Sequence, residues 1–141
     1  MYTIDASVWV NSFDQREAGH KVSRQVLTTL RTNGVAIIVP TLVLVEVAGA
    51  ISRTRQRPGR AQSFAAALSG LPNIRLVPLD TNLAQLALQL AAQHSLRGAD
   101  AVYAAVALQS NTTLITLDNE QLTRLTSVVA TLTPKAVLPT L

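Results

Sequence analysis

The sequence predicts an α/β fold of three layers, in which helices cover both faces of a central, mostly parallel sheet of four to five strands. Short apolar segments of strand length alternate with longer segments of helical spacing along the whole chain. Residues 35–39 are apolar throughout, as expected of a strand that is buried on both faces. Alternating strands and helices favour parallel pairing, because each helix returns the chain to the same end of the sheet.

The elements follow from apolar spacing and turn residues, taken in chain order. Asn33 and Gly34 end the first long helix, Pro40 separates a strand from the next helix, and Asp80 caps a Leu- and Ala-rich helix. The basic segment of residues 53–60 is expected to be an exposed loop. The predicted strands are residues 2–4, 35–39, 74–77 and 113–117, with a last edge strand at 136–138. The predicted helices are residues 17–32, 41–52, 61–68, 81–94 and 98–109, with short helices after Asp5 and Asp118.

Length and composition predict a single domain that spans residues 1–141. Hydrophobic residues make up 48% of the chain and charged residues only 14%, which excludes a disordered protein. The longest apolar run, residues 34–51, is interrupted by Pro40 and Glu46, so a membrane span is not expected. The chain has no cysteine, which excludes disulfide bonds and suits a reducing cytoplasm.

Four of the eight acidic residues lie inside or beside strongly apolar segments, where an ionised carboxylate is costly. An ionised carboxylate leaves water only when it is paired, protonated or bound to a metal. None of the 12 lysines and arginines lies within two residues of any of the four. One shared divalent cation would satisfy all of them together. These residues are Asp5, Glu46, Asp100 and Asp118.

The available ligand types limit which metal such a site can hold. With two histidines and no cysteine, a zinc site is not expected, and oxygen ligands favour Mg²⁺ or Mn²⁺. Asp5 and Asp118 each follow a predicted strand, and the carboxyl ends of parallel strands meet at one edge of a sheet. The four acids are therefore expected to converge there. Crowded carboxylates repel one another, so at least one should have a raised pKa when no metal is bound.

Three of the four acids also have a purely structural explanation. Asp5 and Asp118 could cap the helices that follow them, and Asp118 with Gln121 fits a capping box. Asp100 could complement the dipole of its helix from the first turn. Glu46 lies in the middle of a helix among apolar residues, where no cap is available. Its helix face is therefore expected to be buried or to line a cleft.

The charge distribution favours a polyanionic ligand. The net charge is +4. When the four acids above are set aside, the chain has 12 basic residues and only four acidic ones. A basic surface around an acidic, metal-binding centre suits nucleic acid. Four arginines follow the Glu46 helix, a position that favours phosphate binding beside the acidic cleft, although a mobile exposed loop would also explain them. They are Arg53, Arg55, Arg57 and Arg60.

Four motifs in this order resemble PIN-domain ribonucleases, specifically the VapC toxins of bacterial and archaeal toxin–antitoxin pairs. The resemblance spans nearly the whole chain, and no member of the family's acidic tetrad is missing. The motifs are Ile-Asp5-Ala-Ser7-Val, Val-Glu46-Val-Ala, Leu96-Arg-Gly-Ala-Asp100-Ala-Val-Tyr and Leu-Ile-Thr116-Leu-Asp118.

The resemblance implies an endoribonuclease that cleaves structured RNA such as tRNA or rRNA, leaving 5′-phosphate and 3′-hydroxyl ends. Asp5, Asp100 and Asp118 would bind one or two Mg²⁺ or Mn²⁺ ions, and Glu46 would complete the catalytic tetrad, acting through water. Ser7 and Thr116 match small polar positions that support the site.

The resemblance further implies a homodimer and a cognate antitoxin as partners, with the four arginines contacting RNA or the antitoxin. Two alternatives remain open. A stand-alone PIN nuclease in RNA processing would have the same residues. A metal-free binding module would use its acids only as helix caps.

Overall fold

The structure, a computed structural model, describes residues 1–55 and 57–141, and the side chain of Arg55 lies outside the described part. Within those residues, five parallel strands form one sheet in the order β3-β2-β1-β4-β5. The predicted fold class is therefore confirmed. The strands are β1 (Tyr2–Ile4), β2 (Ile37–Pro40), β3 (Ile74–Val77), β4 (Thr113–Ile115) and β5 (Thr131–Leu132).

The helices pack largely as consecutive pairs beside this sheet. In the first half of the chain, α1 packs on α2 and on α3, and α3 packs on α4, while α5 packs on α6 in the second half. The helices of the described residues are α1 (Ala6–Phe13), α2 (His20–Thr32), α3 (Leu42–Arg55), α4 (Pro58–Ser69), α5 (Thr81–His94), α6 (Gly98–Gln109), α7 (Asn119–Arg124) and α8 (Pro134–Val137).

Helix α6 packs against β1 and β2 in the core. Every residue from Asp100 to Ala107 is buried, and four of those eight are alanines. Small side chains allow the helix backbone to approach the sheet closely, while all four residues of β2 are buried beneath it. This packing fixes the first turn of α6, and with it Asp100, beside the edge of the sheet. None of the described helices is long and apolar enough to cross a membrane.

Among the described residues, most of the basic segment is helical and not a loop, which corrects one prediction. Arg53 lies in α3 and Arg60 in α4, and Arg57 is the residue before α4. Pro58 occupies the first position of α4, where the missing N–H costs no intrahelical hydrogen bond. Gln56 and the side chain of Arg55 lie outside the described residues.

The predicted edge strand at residues 136–138 is also wrong. The last strand is β5, only two residues long, and the chain then enters α8. The hydroxyl of Thr133 caps α8 by accepting from the N–H of Ala136 at 3.1 Å, and Pro134 takes the first helical position. The Thr-Pro pair is thus a helix start, and it outweighs the strand preference of the apolar residues that follow.

Candidate active site

The strand order reverses between β1 and β4. These two strands lie side by side, with Ile4 opposite Ile115, while β2 and β3 continue the sheet on one side and β5 on the other. The loops after β1 and β4 diverge at such a point and leave a crevice at the carboxyl edge. Asp5 directly follows β1, and Asp118 follows β4 by three residues. The first and fourth motifs therefore meet at one edge, as the sequence predicted.

Ser7 and Thr116 tie these two loops together. Asp5 Oδ2 accepts hydrogen bonds from Ser7 N at 3.0 Å and from Thr116 Oγ1 at 3.4 Å. Thr116 Oγ1 in turn accepts from Asp118 N at 3.0 Å, and Ser7 Oγ accepts from Leu117 N at 3.2 Å. Asp5 is 6% exposed, so this network holds a nearly buried carboxylate in a fixed position.

Asp118 caps α7, but the expected capping box does not form. Asp118 Oδ1 accepts from Glu120 N at 2.8 Å and from Gln121 N at 3.0 Å. Gln121 is fully buried and does not bond back to the cap; its Nε2 donates to Asp100 Oδ1 at 3.0 Å. The glutamine therefore connects the third motif to the fourth and fixes the orientation of the Asp100 carboxylate.

Arg97 bridges two of the four acids. Its Nε donates to Asp100 Oδ2 at 3.0 Å, and its Nη2 donates to Asp118 Oδ2. Asp100 and Asp118 therefore share one basic partner, although no lysine or arginine lies within two residues of either in the sequence. Arg97 precedes Asp100 by three residues, a spacing that brings side chains together at a helix start. That spacing could have revealed the pair in the sequence.

Glu46 reaches the site from α3. Its Oε2 accepts a hydrogen bond of 2.7 Å from the hydroxyl of Tyr103, a fully buried residue of α6. Burial and the negative charge of Glu46 raise the pKa of Tyr103, so the phenol remains a proton donor. Glu46 itself is partly buried, as its apolar surroundings predicted.

The pKa values of two of the acids are raised. For Asp100 the main cause is burial, opposed by Arg97, with smaller contributions from the charges of Asp118 and Asp5. For Glu46 the main cause is again burial, opposed by the Tyr103 hydrogen bond, with repulsion from Asp5 and Asp100. The expectation of a raised carboxylate pKa is confirmed, although desolvation contributes more than repulsion. The mutual charge effects also show that Asp5, Glu46 and Asp100 are electrostatic neighbours.

The sequence comparison agrees with this geometry. Residues 2–126 match the family model of the PIN domain. This chain belongs to the PIN domain family. The family predicted from the four motifs is therefore confirmed. None of the curated proteins compared with the sequence matches it.

Several solved structures have the same fold as this PIN domain. The Mycobacterium tuberculosis toxin VapC20, described as cleaving the sarcin–ricin loop, has a TM-score of 0.74 at 18% identity, over 86% of this chain and 92% of that chain. VapBC2 from Rickettsia felis, bound to a promoter DNA fragment, has a TM-score of 0.69 at 15% identity, over 94% of this chain and 97% of that chain. A toxin–antitoxin complex from Klebsiella pneumoniae has a TM-score of 0.68 at 16% identity, over 95% of this chain and 98% of that chain.

The site in this PIN domain offers oxygen ligands without a closed metal cage. Among the described residues, no three acidic or histidine side chains lie close enough to form a ready-made metal cluster. Mg²⁺ commonly binds to one or two carboxylates and retains several waters, so a closed cage is not required. The carboxylates of Asp5, Asp100 and Asp118 are hard oxygen donors, and Asp100 is close enough to the other two for their charges to raise its pKa. This donor set fits Mg²⁺ or Mn²⁺.

The basic residues of the PIN domain lie apart from this crevice. Exposed Arg57 and Arg60 line a polar hollow together with Arg16, Thr54 and Phe13. The hollow that contains Asp118 is lined by different residues, Arg97 and Arg124 among them. Arg53 is exposed on α3, and the side chain of Arg55 is outside the described residues. The described arginines of the basic segment thus do not line the hollow at Asp118.

The PIN domain also has an apolar cavity of about 370 Å³ that the sequence did not reveal. It lies among α1, α2 and α4 and is lined by Trp9, Phe13 and Phe64 among others. Within the described residues, Trp9 Nε1 and Asn73 Oδ1 are buried without a hydrogen-bond partner, and both residues line this cavity. The cavity is separate from the acidic crevice.

Replacing Glu46 with Gln should change how stability depends on pH. Because burial raises the pKa of folded Glu46 above its ordinary value of 4.5, the folded state disfavours the ionised form. Its contribution to stability is full below that ordinary value and is lost as the pH rises through the raised pKa. Gln keeps an oxygen for the Tyr103 hydroxyl but cannot ionise. Urea unfolding in EDTA at about pH 4 and about pH 7 should show a smaller loss of stability for Glu46→Gln than for the wild type. Equal losses would contradict this assignment.

Proposed function

We propose that this PIN domain is a Mg²⁺- or Mn²⁺-dependent endoribonuclease and the toxin of a toxin–antitoxin pair, acting on structured RNA in the cytoplasm. The convergence of Asp5, Asp100 and Asp118 on the crevice between β1 and β4 supports this best. Helix capping accounts for Asp5 and Asp118, but it does not account for Asp100, which is nearly buried in the first turn of α6. A metal-free binding module would need that carboxylate only for the helix dipole and for its bonds to Arg97 and Gln121.

Each side chain has a proposed role in phosphodiester hydrolysis. Asp5, Asp100 and Asp118 would hold the cation, which supplies positive charge for the phosphate and lowers the pKa of water when bound. Glu46, held at Oε2 by Tyr103, would accept the proton of the attacking water at Oε1. Its raised pKa brings it closer to neutrality and makes it a better base there.

The substrate and partner are proposed from chemistry and from the fold relatives together. The net charge of +4 suits RNA, and the relative VapC20 is described as a toxin that cleaves the sarcin–ricin loop. The Klebsiella pneumoniae relative is a toxin–antitoxin complex, which favours a toxin over a stand-alone RNA-processing nuclease. We propose a cognate antitoxin on the same grounds, and a homodimeric assembly from the resemblance of the four motifs alone.

Incubation of the purified protein with structured RNA tests the proposed activity. Cleavage is expected with Mg²⁺ or Mn²⁺, with 5′-phosphate and 3′-hydroxyl ends, and it should stop on addition of EDTA. Cleavage that continues at the same rate in EDTA would contradict the proposed function, and so would the absence of cleavage with every RNA and both metals.

Arg57 and Arg60 are expected to contact RNA or the antitoxin, as proposed for Arg53 and Arg55. Replacing both with Gln should weaken RNA binding and reduce its salt dependence, by a slope of roughly 0.7 for each phosphate group that is no longer neutralised. The matched control replaces the exposed Arg75 and Lys135 with Gln, which removes the same charge from other surfaces. Filter binding across a salt series measures both slopes. Equal slopes for the two double variants would show that Arg57 and Arg60 are exposed surface residues that do not bind RNA.

A further inference from the structure

Arg97 binds one carboxylate oxygen of Asp100 and one of Asp118. Asp100 Oδ1 already accepts from the amide of Gln121, and Asp118 Oδ1 accepts from two backbone N–H groups. The remaining oxygen of each aspartate, Oδ2, accepts from the guanidinium of Arg97. Glu120 Oε2 lies 3.9 Å from Arg97 Nε and extends the same ion-pair cluster. For Asp100 and Asp118, the oxygens left to receive a cation are therefore the ones that Arg97 binds.

We propose that Arg97 is an internal counter-ion that competes with the divalent cation for Asp100 and Asp118 and turns to an RNA phosphate when the cation binds. This inference rests on the proposed function of the same site. A guanidinium and a divalent cation compete for the two Oδ2 atoms, because both are positive and both draw on the lone pairs of the same oxygens. Cation binding thus favours the release of Arg97, which lines the hollow that contains Asp118.

The exposure of these side chains decides which of them moves. The Arg97 side chain is 65% exposed, whereas that of Asp100 is 11% exposed. Asp100 is also fixed by buried Gln121, while Arg97 extends from the residue before α6 on a flexible stem. Once released, the planar guanidinium can donate two parallel hydrogen bonds to a phosphate. Arg97 would then be a positioning residue for RNA as well as a competitor of the cation.

Arg124 provides a matched control in the same hollow. It pairs with Glu120 Oε1 at 3.4 Å and donates to the backbone carbonyl of Ser95. Within the described residues it forms no ion pair with Asp100 or Asp118. Arg124→Gln removes the same charge from the hollow as Arg97→Gln, but it leaves both Oδ2 atoms bound to Arg97. A difference between the two variants therefore reports on the bridge and not on net charge.

The test is the affinity for Mn²⁺ of protein stripped with EDTA, measured by calorimetry at low and high salt. Arg97→Gln should bind Mn²⁺ about tenfold more tightly than the wild type, because a competing positive charge has been removed from an exposed site. The gain should shrink at high salt. Arg124→Gln should change the affinity less than about threefold. Arg97→Lys keeps the positive charge but loses the planar guanidinium that bonds to both aspartates. Its Mn²⁺ affinity should therefore fall between those of the wild type and Arg97→Gln.

RNA binding provides the second readout. With Mn²⁺ present, Arg97→Gln should bind RNA more weakly than Arg124→Gln, although its cation affinity is higher. Melting curves verify that each variant is folded.

The outcomes separate this inference from the proposed function. Mn²⁺ affinity that is unchanged or lower in Arg97→Gln, with Mn²⁺-dependent cleavage by the wild type intact, overturns only the role of Arg97. Mn²⁺ binding by Arg97→Gln but not by the wild type supports the competition and contradicts a metal-dependent wild-type enzyme. Absence of Mn²⁺ binding in both proteins overturns both proposals.

Discussion

Asp100→Asn is expected to lower the rate of RNA cleavage by at least about a hundredfold, since even outer partners of metal ligands contribute roughly ten- to a hundredfold. The same change should leave the metal-free protein at least as stable as the wild type. The raised pKa of Asp100 means that the folded state prefers its neutral form, despite the pair with Arg97. Asn is neutral at every pH and keeps an oxygen that can accept from Gln121.

Single-turnover cleavage and thermal melting in EDTA measure these two effects together. Mg²⁺ should then raise the melting temperature of the wild type more than that of Asp100→Asn, because ligand binding stabilises the folded state. Wild-type cleavage by Asp100→Asn would exclude Asp100 from the catalytic site. A clearly lower melting temperature in EDTA, with no response of either protein to Mg²⁺, would show that the carboxylate is structural.

Two substitutions of Asp118 should separate its cap from its proposed catalytic role. Asp118→Asn keeps a capping oxygen for the N–H groups of Glu120 and Gln121, whereas Asp118→Ala removes it. Both should lose cleavage by at least about a hundredfold, but only Asp118→Ala should lose stability, by about 1 kcal/mol.

Asp80→Ala is the matched control for this pair of variants. Asp80 caps α5 by accepting from Leu83 N at 2.9 Å, and it is not part of the acidic cluster. Its loss should cost a similar amount of stability in urea unfolding without affecting cleavage. If Asp118→Asn cleaved RNA as fast as the wild type, Asp118 would be a helix cap and no more.

The fold was predictable where local signals and packing agree. Residues 98–109 were predicted as a helix with the observed bounds, because an apolar segment follows Gly98 and a turn follows Gln109. The prediction for the end of the chain was wrong because local signals there conflict with one another. β5 has two residues, too few for a periodic pattern, and the apolar residues after Pro134 resemble a strand although Thr133 begins a helix.

The places of Asp5 and Asp118 were predictable because both residues follow strands that the sequence reveals. The partners of the acidic residues were not. Tyr103 and Glu46 are 57 residues apart and meet only because α3 and α6 bring them together. Gln121 has the spacing of a capping residue, yet burial directs its amide to Asp100. Arg97 lies outside the two-residue neighbourhood of each acid, but a helix start brings residues three apart together.

Mn²⁺ binding followed by electron paramagnetic resonance tests most directly whether three carboxylates share one cation. The comparison is between wild type and the single variants Asp5→Asn, Asp100→Asn and Asp118→Asn, with Asp80→Asn as the control of equal charge change. Each of the three should bind Mn²⁺ at least about tenfold more weakly than the wild type, and the control should bind as the wild type does. Wild-type affinity in all three variants would contradict a shared cation at this crevice, and with it the proposed chemistry.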